Sequence, residues 1–420
     1  MQTTPDSSSP AIAGAVVPPP QARAALPGAI PARQLIALIA ALQCTYILDF
    51  MLVLPLGPDL SAALGFHANQ VGWLTAAYTL ASLAAGLVAV PLLDRFDRRH
   101  ALLACLAGLV LAILASAAAQ DMTTLLLARA AAGLFAAPTI ATGMAILIDH
   151  TPPPQRGSAI AKVMIGFSLA TIGGIPFALE LAARFGWQAA FLVVAVLAAL
   201  VGVTAARLLP AQRAHLAPSA AAAPRRSPLA LLKRPSVQLA SLLQGLNQFA
   251  AFLVIPSFSA FYLLNLAFPR EQLSLLYLAG GVTALFAMQL AGRATDKRGP
   301  WLPVTIASAC FCVGLLPFLG VHVLPITLCF VLFMAGNAAR NVSLAATLSQ
   351  IPAPPERAGF MALLKMVQDL GVTLAAGVAA LLLGNADGPL THTTELAALT
   401  MLGGLGVLGL LATLQRKTKT

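Results

Sequence analysis

Twelve predominantly apolar runs, most of about 20 residues or more, follow one another along this chain. They lie at about 34–57, 69–91, 100–119, 122–148, 158–181, 187–209, 236–264, 272–292, 301–320, 323–348, 359–383 and 392–414. A helix of about 20 residues crosses the hydrocarbon core of a bilayer, where the backbone must satisfy its own hydrogen bonds. The runs therefore predict an all-α membrane protein with twelve transmembrane helices. The side chains agree: 59% are hydrophobic and only 9% are charged, with a mean hydropathy of +0.86. A water-soluble enzyme, a disordered chain or a nucleic-acid module needs a far more charged surface. The twelve runs and their short connections consume nearly all of the 420 residues.

What lies outside the runs sets the domain boundaries. Residues 1–32, rich in Ser, Pro and Ala, predict a disordered cytoplasmic tail. They contain no short apolar core followed by a cleavage site, so the first run is expected to stay as a span. Six spans over 33–209 form a first bundle. The polar stretch 210–234 is a cytoplasmic linker, residues 235–414 a second bundle, and 415–420 a short tail.

The formal net charge of +11 is mainly an orientation signal. With the N-terminus on the cytoplasmic side, the outer loops hold only Arg184 and Arg270. Arg129 and Arg340 fall inside spans, and the rest of the 25 Lys and Arg fall in inner loops and tails. Positive charge is retained on the cytoplasmic side. Both termini are thus expected inside, in a multi-pass protein of the cell inner membrane.

The chain also repeats itself at an offset of about 201 residues. LVLP at 52–55 matches LVIP at 253–256, Gln70 matches Gln272, Asp94 matches Asp296, and PPQRG at 153–157 matches PPERA at 354–358. Four anchors in order, at equivalent places in the topology, imply internal duplication. Two tandem bundles of this kind place a substrate site at their interface near the bilayer midplane.

These motifs carry a resemblance. LAGRATDKRGP at 290–300 resembles the loop signature of the major facilitator superfamily, and its partner VPLLDRFDRRHALL at 90–103 departs from it at Val90 and Asp97. YILDFMLVLPLGPDLS at 46–61 is similar to bacterial sugar-efflux and drug-efflux permeases, the twelve-span drug:proton antiporter branch. LLLARAAAG at 125–133 resembles the family's Arg-containing fourth helix. GFSLATIGGIPFALELAARFGW at 166–187 is a partial match to its antiporter motif, and RNVSLAATLSQIPAPPERAGFM at 340–361 completes the likeness. The resemblance covers about 34–414 and implies the major facilitator fold. It further implies that Asp94, Arg95, Arg98, Arg99, Asp296 and Lys297 latch the cytoplasmic face as a gate. Gly166, Gly173, Gly174 and Pro176 would form a helix-packing motif at a rocking interface; simple charge retention and ordinary membrane-helix Gly and Pro are the alternatives.

Charges at bilayer depth are costly and mark function. Asp49 in the first span and Arg129 in the fourth sit at equal depth, so an ion pair is expected. Asp49 would then carry the coupling proton, or the pair would be purely structural. The second half has Ala250 where the first has Asp49. It offers Arg340, Lys365 and Asp369 instead, with Lys365 one helical turn before Asp369. Asp369 held by Arg340 and Lys365 would make an inner gate, a site for an anionic group or a packing bridge. Gln244, Asn247 and Gln248 supply a polar face on the seventh span, and Asn337 and Asn341 one on the tenth. Tyr46, Phe50, Trp73 and Tyr78 offer an aromatic wall. Together they suit a cavity for a small amphipathic molecule.

Nothing else in the sequence forms a catalytic set. The five cysteines, Cys44, Cys105, Cys310, Cys312 and Cys329, lie in apolar runs without metal-ligand spacing, and no GxxxxGKT phosphate loop is present. No cofactor and no metal is expected, and the chain is not read as an enzyme. Its expected partners are a small-molecule substrate, protons and the lipid bilayer, with no nucleic acid, and it is expected to be a monomer. The expected activity is alternating-access efflux coupled to proton entry. A proton symporter or facilitative permease for a sugar or organic acid stays open, as does a non-transporting receptor or scaffold.

Overall fold

The computed structural model describes residues 30–93, 95–152, 155–211, 228–352, 357–384 and 388–419. Most of the tail 1–32 and of the linker 210–234 lies outside them. Among the described residues no strand occurs, and eleven helical segments are long and apolar enough to cross a membrane. In the first half these are α1 (Ala32–Leu64), α2 (Val71–Leu93), α3 (Arg98–Ala117), α4 (Met122–His150), α5 (Ser158–Phe185) and α6 (Trp187–Leu208). In the second half they are α7 (Pro235–Asn265), α8 (Arg270–Arg298), α10 (Ile326–Leu348), α11 (Arg357–Leu382) and α12 (Thr393–Lys419), with α9 (Trp301–Val313) between α8 and α10. Helix α9 is short for a span and is extended by a 3-10 turn at Leu316–Leu319.

The ends of the helices follow local chemistry. Asp97 caps α3 by accepting a hydrogen bond from the Arg99 amide at 2.9 Å, and Asp121 caps α4 by accepting one from Thr124 at 2.7 Å. The same bonds hold the exposed Asp121 carboxyl below the usual carboxylate range. Helix α1 runs through Pro55 and Pro58 and stops only at Gly65, whose φ of +70° is a left-handed cap that glycine takes without strain. It is therefore several residues longer than its apolar run suggests, and Asp49 sits correspondingly deeper.

Two helices break their own ladders. Helix α5 passes through a π-turn at Ala170–Gly174 just before Pro176, and α7 changes to a 3-10 turn at Ile255–Ser257. Proline removes a backbone donor, and such interruptions gather where helices line functional space. Part of the glycine motif acts by closeness. A Cβ on Gly166 would meet the Ala40 carbonyl oxygen, and one on Gly174 would meet the Leu48 side chain, so both let α5 approach α1. Gly173 is different: nothing lies within 4 Å of its Cβ position, and it takes no part in that packing.

The halves meet along the seams of α2 against α11 and α5 against α8, and α1 also packs on α7. On the first seam a Cβ on Gly72 would meet the Ala376 carbonyl, and on the second a Cβ on Gly281 would meet that of Thr171. At the end away from Arg98 and Arg99, Arg270 of α8 binds Asp59 of α1 through two bonds, Nε–Oδ1 at 3.2 Å and Nη2–Oδ2 at 2.6 Å. Asn69 there donates to the Leu383 carbonyl at 2.9 Å. At the basic end, Arg98 binds Asp149 and Arg99 donates to the Ala206 carbonyl at 2.7 Å, so both tie the start of α3 to other helices of its own half. Arg95, Asp296 and Lys297 are exposed, and Asp94 lies outside the described residues.

Candidate functional site

A cavity of about 530 Å³ lies between the halves. It is lined from α1 by Gln43, Tyr46 and Phe50, from α2 by Tyr78, Thr79 and Ser82, and from α5 by Met164, Phe167 and Thr171. The second half adds Gln244, Gln248 and Phe258 from α7 and Tyr277 and Met288 from α8. Phe330, Met334, Asn337, Asn341 and Ala345 follow from α10, and Lys365, Gln368 and Asp369 from α11. With Ile47, Met51, Leu54, Ile175, Leu285 and Val372 also on the wall, most of the lining is aromatic, aliphatic or thioether, with amides set among it. The α2–α11 seam and the Asp59–Arg270 pair close the end away from the basic loops. The wall reaches Met164, Met288 and Ala345 towards the basic end. Phe258 and Phe330 belong to an aromatic stack that also includes Phe261 and Phe318, whose rings lie 3.8 Å apart.

Only two described wall residues, Lys365 and Asp369, carry a charge. They are one helical turn apart on α11 and bonded to each other. Their exposure differs sharply: the Lys365 side chain is 44% exposed and that of Asp369 only 9%. Asp369 turns towards the α2–α11 seam, where the Ser82 hydroxyl donates to Oδ2 at 3.1 Å. One turn along, the Thr79 and Thr373 hydroxyls bond at 2.7 Å. The acidic charge is thus part of a seam between the halves, while the Lys365 side chain is open to the cavity. Tyr46 adjoins Lys365.

The structure brings Asp49 and Arg129 together but not on the cavity wall. Arg129 Nη1 donates to Asp49 Oδ1 at 2.6 Å and Nη2 donates to the Asp49 carbonyl at 2.8 Å. Their side chains are 0% and 1% exposed. Tyr78, which does line the cavity, covers the guanidinium with its ring 4.7 Å away. Helix α1 turns Tyr46 and Phe50 to the cavity and Asp49 towards α4.

The placement expected for Arg340 is corrected. Arg340 does not hold Asp369 and does not line the cavity. Helix α10 turns it the other way, into the second half, where its guanidinium lies 4.0 Å from the Phe311 ring of α9 and beside Gly404 of α12. It is 0% exposed, and its three nitrogens lack hydrogen-bond partners among the described residues. Asn247, expected on the wall, is buried behind it and donates to Asn341 at 2.8 Å and to Gln248 at 3.2 Å. Tyr46, Phe50, Gln244, Gln248, Asn337, Asn341, Lys365 and Asp369 do line the cavity, whereas Trp73 does not. Among the described residues no cluster of His, Cys, Asp or Glu could hold a metal ion.

Sequence reasoning missed Ser82, Thr79 and Thr373, because isolated hydroxyls are common in membrane helices. It also missed the Asp59–Arg270 tie, for which a signal existed. Arg270 is one of two cations that the charge bias leaves outside, and Asp59 is an acid near the same end.

A profile of the Major Facilitator Superfamily matches residues 39–376. A chloramphenicol resistance protein of Streptomyces lividans is 27% identical over 363 residues, covering 86% of this chain and 88% of that protein. A probable sugar efflux transporter of Pasteurella multocida is 28% identical over 235 residues, 54% of this chain and 55% of that one. Among solved structures, a bacterial homologue of the human lysosomal transporter Spinster, inward-facing and unoccupied, superposes with a TM-score of 0.66 at 15% identity, covering 91% of this chain and 95% of that one. The nucleoside transporter NupG superposes with a TM-score of 0.69 at 13% identity, covering 91% and 99%. At these identities the two structures bear on the fold alone.

Proposed function

Since the chain belongs to the Major Facilitator Superfamily, we propose that it exports a small amphipathic molecule across the cytoplasmic membrane in exchange for protons, with both termini inside. It is a multi-pass membrane transporter with efflux relatives, not an enzyme. The observation that carries the proton-coupled reading is the hydrogen bond from Ser82 to Asp369, because it joins a carboxylate of the cavity to the seam that must part for the other side to open.

In the state described here, the seam is closed and the cavity wall extends towards the basic, cytoplasmic end. Lys365 and Ser82 both bond to the Asp369 carboxyl. When α2 and α11 separate, Asp369 loses the Ser82 donor and meets the outer solution, and the carboxyl takes up a proton there. Closing the seam restores the donor and releases the proton inward. Substrate moves outward on the opposite half of the cycle. Asp49 and Arg129, sealed beneath Tyr78, act in this reading as a fixed brace between α1 and α4.

The S. lividans relative is named for resistance to chloramphenicol, a neutral amphipath, and a molecule of that kind suits an apolar wall studded with amides. Proteoliposomes holding a pH-sensitive dye and exposed to an outward chloramphenicol gradient test the proposal. Proton entry matched to drug exit is expected. Drug exit with no proton movement would leave a facilitator, and no exit of any panel compound would leave a receptor or scaffold.

A further inference from the structure

The two cavity charges are equal in number but unequal in access. Asp369 spends its oxygens on Lys365 and Ser82 and is nearly covered, while the Lys365 side chain, whose ammonium also meets Tyr46, is almost half exposed and lines the space a substrate would occupy. No other described wall residue is acidic. A cation entering the cavity therefore meets a positive charge first and finds no free carboxylate to replace its water. From this asymmetry we infer that Lys365 is a charge filter: it excludes organic cations and admits neutral or anionic amphipaths that accept hydrogen bonds.

The inference rests on the cavity proposed above as the substrate site and names the class of molecule it takes. Lys365 suits this task by its position as well as its charge. It extends from α11 beside Tyr46, with Gln368 and the α7 amides Gln244 and Gln248 also on the wall. Acceptor groups such as a nitro, carbonyl or hydroxyl oxygen can therefore bond to the ammonium and to amide N–H groups together. The surrounding methionines and aromatic rings fix no charge and tolerate varied apolar shapes. In a space walled largely by apolar groups, the sign of one accessible charge weighs more than it does in water.

The experiment is equilibrium binding to purified full-length protein of two isosteric ions, tetraphenylphosphonium and tetraphenylborate. Protein-free detergent serves as the blank, since the two ions partition differently by themselves. The wild-type protein is expected to bind the anion at least about tenfold more tightly than the cation after that correction, a factor that corresponds to about 1.4 kcal/mol. Lys365→Met should remove the preference and Lys365→Arg should keep it. Asp369→Asn, which removes the compensating negative charge, should strengthen it. An unchanged ratio in Lys365→Met, or a wild-type protein that favours the cation, would overturn the filter. Because binding is read without transport, this result is separate from the coupling reading. Proton-linked export with no charge preference refutes the filter alone, and a charge preference with no proton movement refutes the coupling alone.

Discussion

The Ser82 hydroxyl of α2 donates a 3.1 Å hydrogen bond to Oδ2 of Asp369 on α11, so a carboxylate in one half of the protein is held by a donor in the other. The Thr79–Thr373 bond lies one turn further along the same seam. Lys365, one turn before Asp369, also reaches across to Tyr46 of α1. The seam can part only by giving up the Ser82 bond, and that links the state of the carboxyl to the direction in which the cavity opens.

The Asp59–Arg270 pair holds shut the end away from the basic loops, and its removal shifts the balance of states. The two side chains are roughly one-third exposed, so the pair is worth about 0.2–1 kcal/mol. Arg270→Gln is expected to increase the population open at that end by a few-fold at most. Spin labels on the exposed Phe185 and Val323, one in each half, read this as growth of the longer distance peak. An unchanged distribution would show that the pair carries no weight in the closure.

The two fully buried arginines respond to substitution in opposite ways. Arg129→Met strands Asp49 as an uncompensated buried carboxylate, which costs about 3–5 kcal/mol. A marked fall in the thermal unfolding temperature is expected, with partial recovery in the Asp49→Asn, Arg129→Met double variant. Arg340 has a ring beneath it but no acceptor among the described residues. Arg340→Met replaces a buried charge by an apolar chain of similar length and should leave the unfolding temperature unchanged or raise it.

The glycines of α5 separate in the same assay. Gly166→Ala drives a methyl group against the rigid Ala40 carbonyl, an overpacking that costs about 1–3 kcal/mol. Gly173→Ala faces open space and gains helix propensity, worth up to about 1 kcal/mol. Equal effects at the two positions would contradict the packing described for this helix.

Much of this protein is legible before any coordinate is seen, and the reason is geometric. Run length specifies a membrane helix, and position along the run specifies depth, so Asp49 and Arg129 could be expected to meet. Direction around the helix is a different matter. Helix α1 is apolar on nearly every side, so nothing in the sequence says that Tyr46 and Phe50 face the cavity while Asp49 faces α4. The same ambiguity joined Arg340 to Asp369: the two share a depth, but α10 points Arg340 at α9 and α12. Lys365 shows the converse. Counted among the inner-loop charges, it lies two turns into α11, because the helix starts at Arg357 and carries the ammonium into the cavity wall. Ser82 left no trace, since a lone serine in an apolar run is usually bonded to its own helix.

The most direct test is accumulation of chloramphenicol driven by an imposed pH gradient, in proteoliposomes that carry the wild-type protein, Asp369→Asn or Asp49→Asn. The account predicts that Asp369→Asn loses gradient-driven accumulation yet still exchanges labelled for unlabelled drug, and that Asp49→Asn keeps its response to the gradient. Full gradient-driven accumulation by Asp369→Asn would contradict it, and would move the proton to a group elsewhere in the protein.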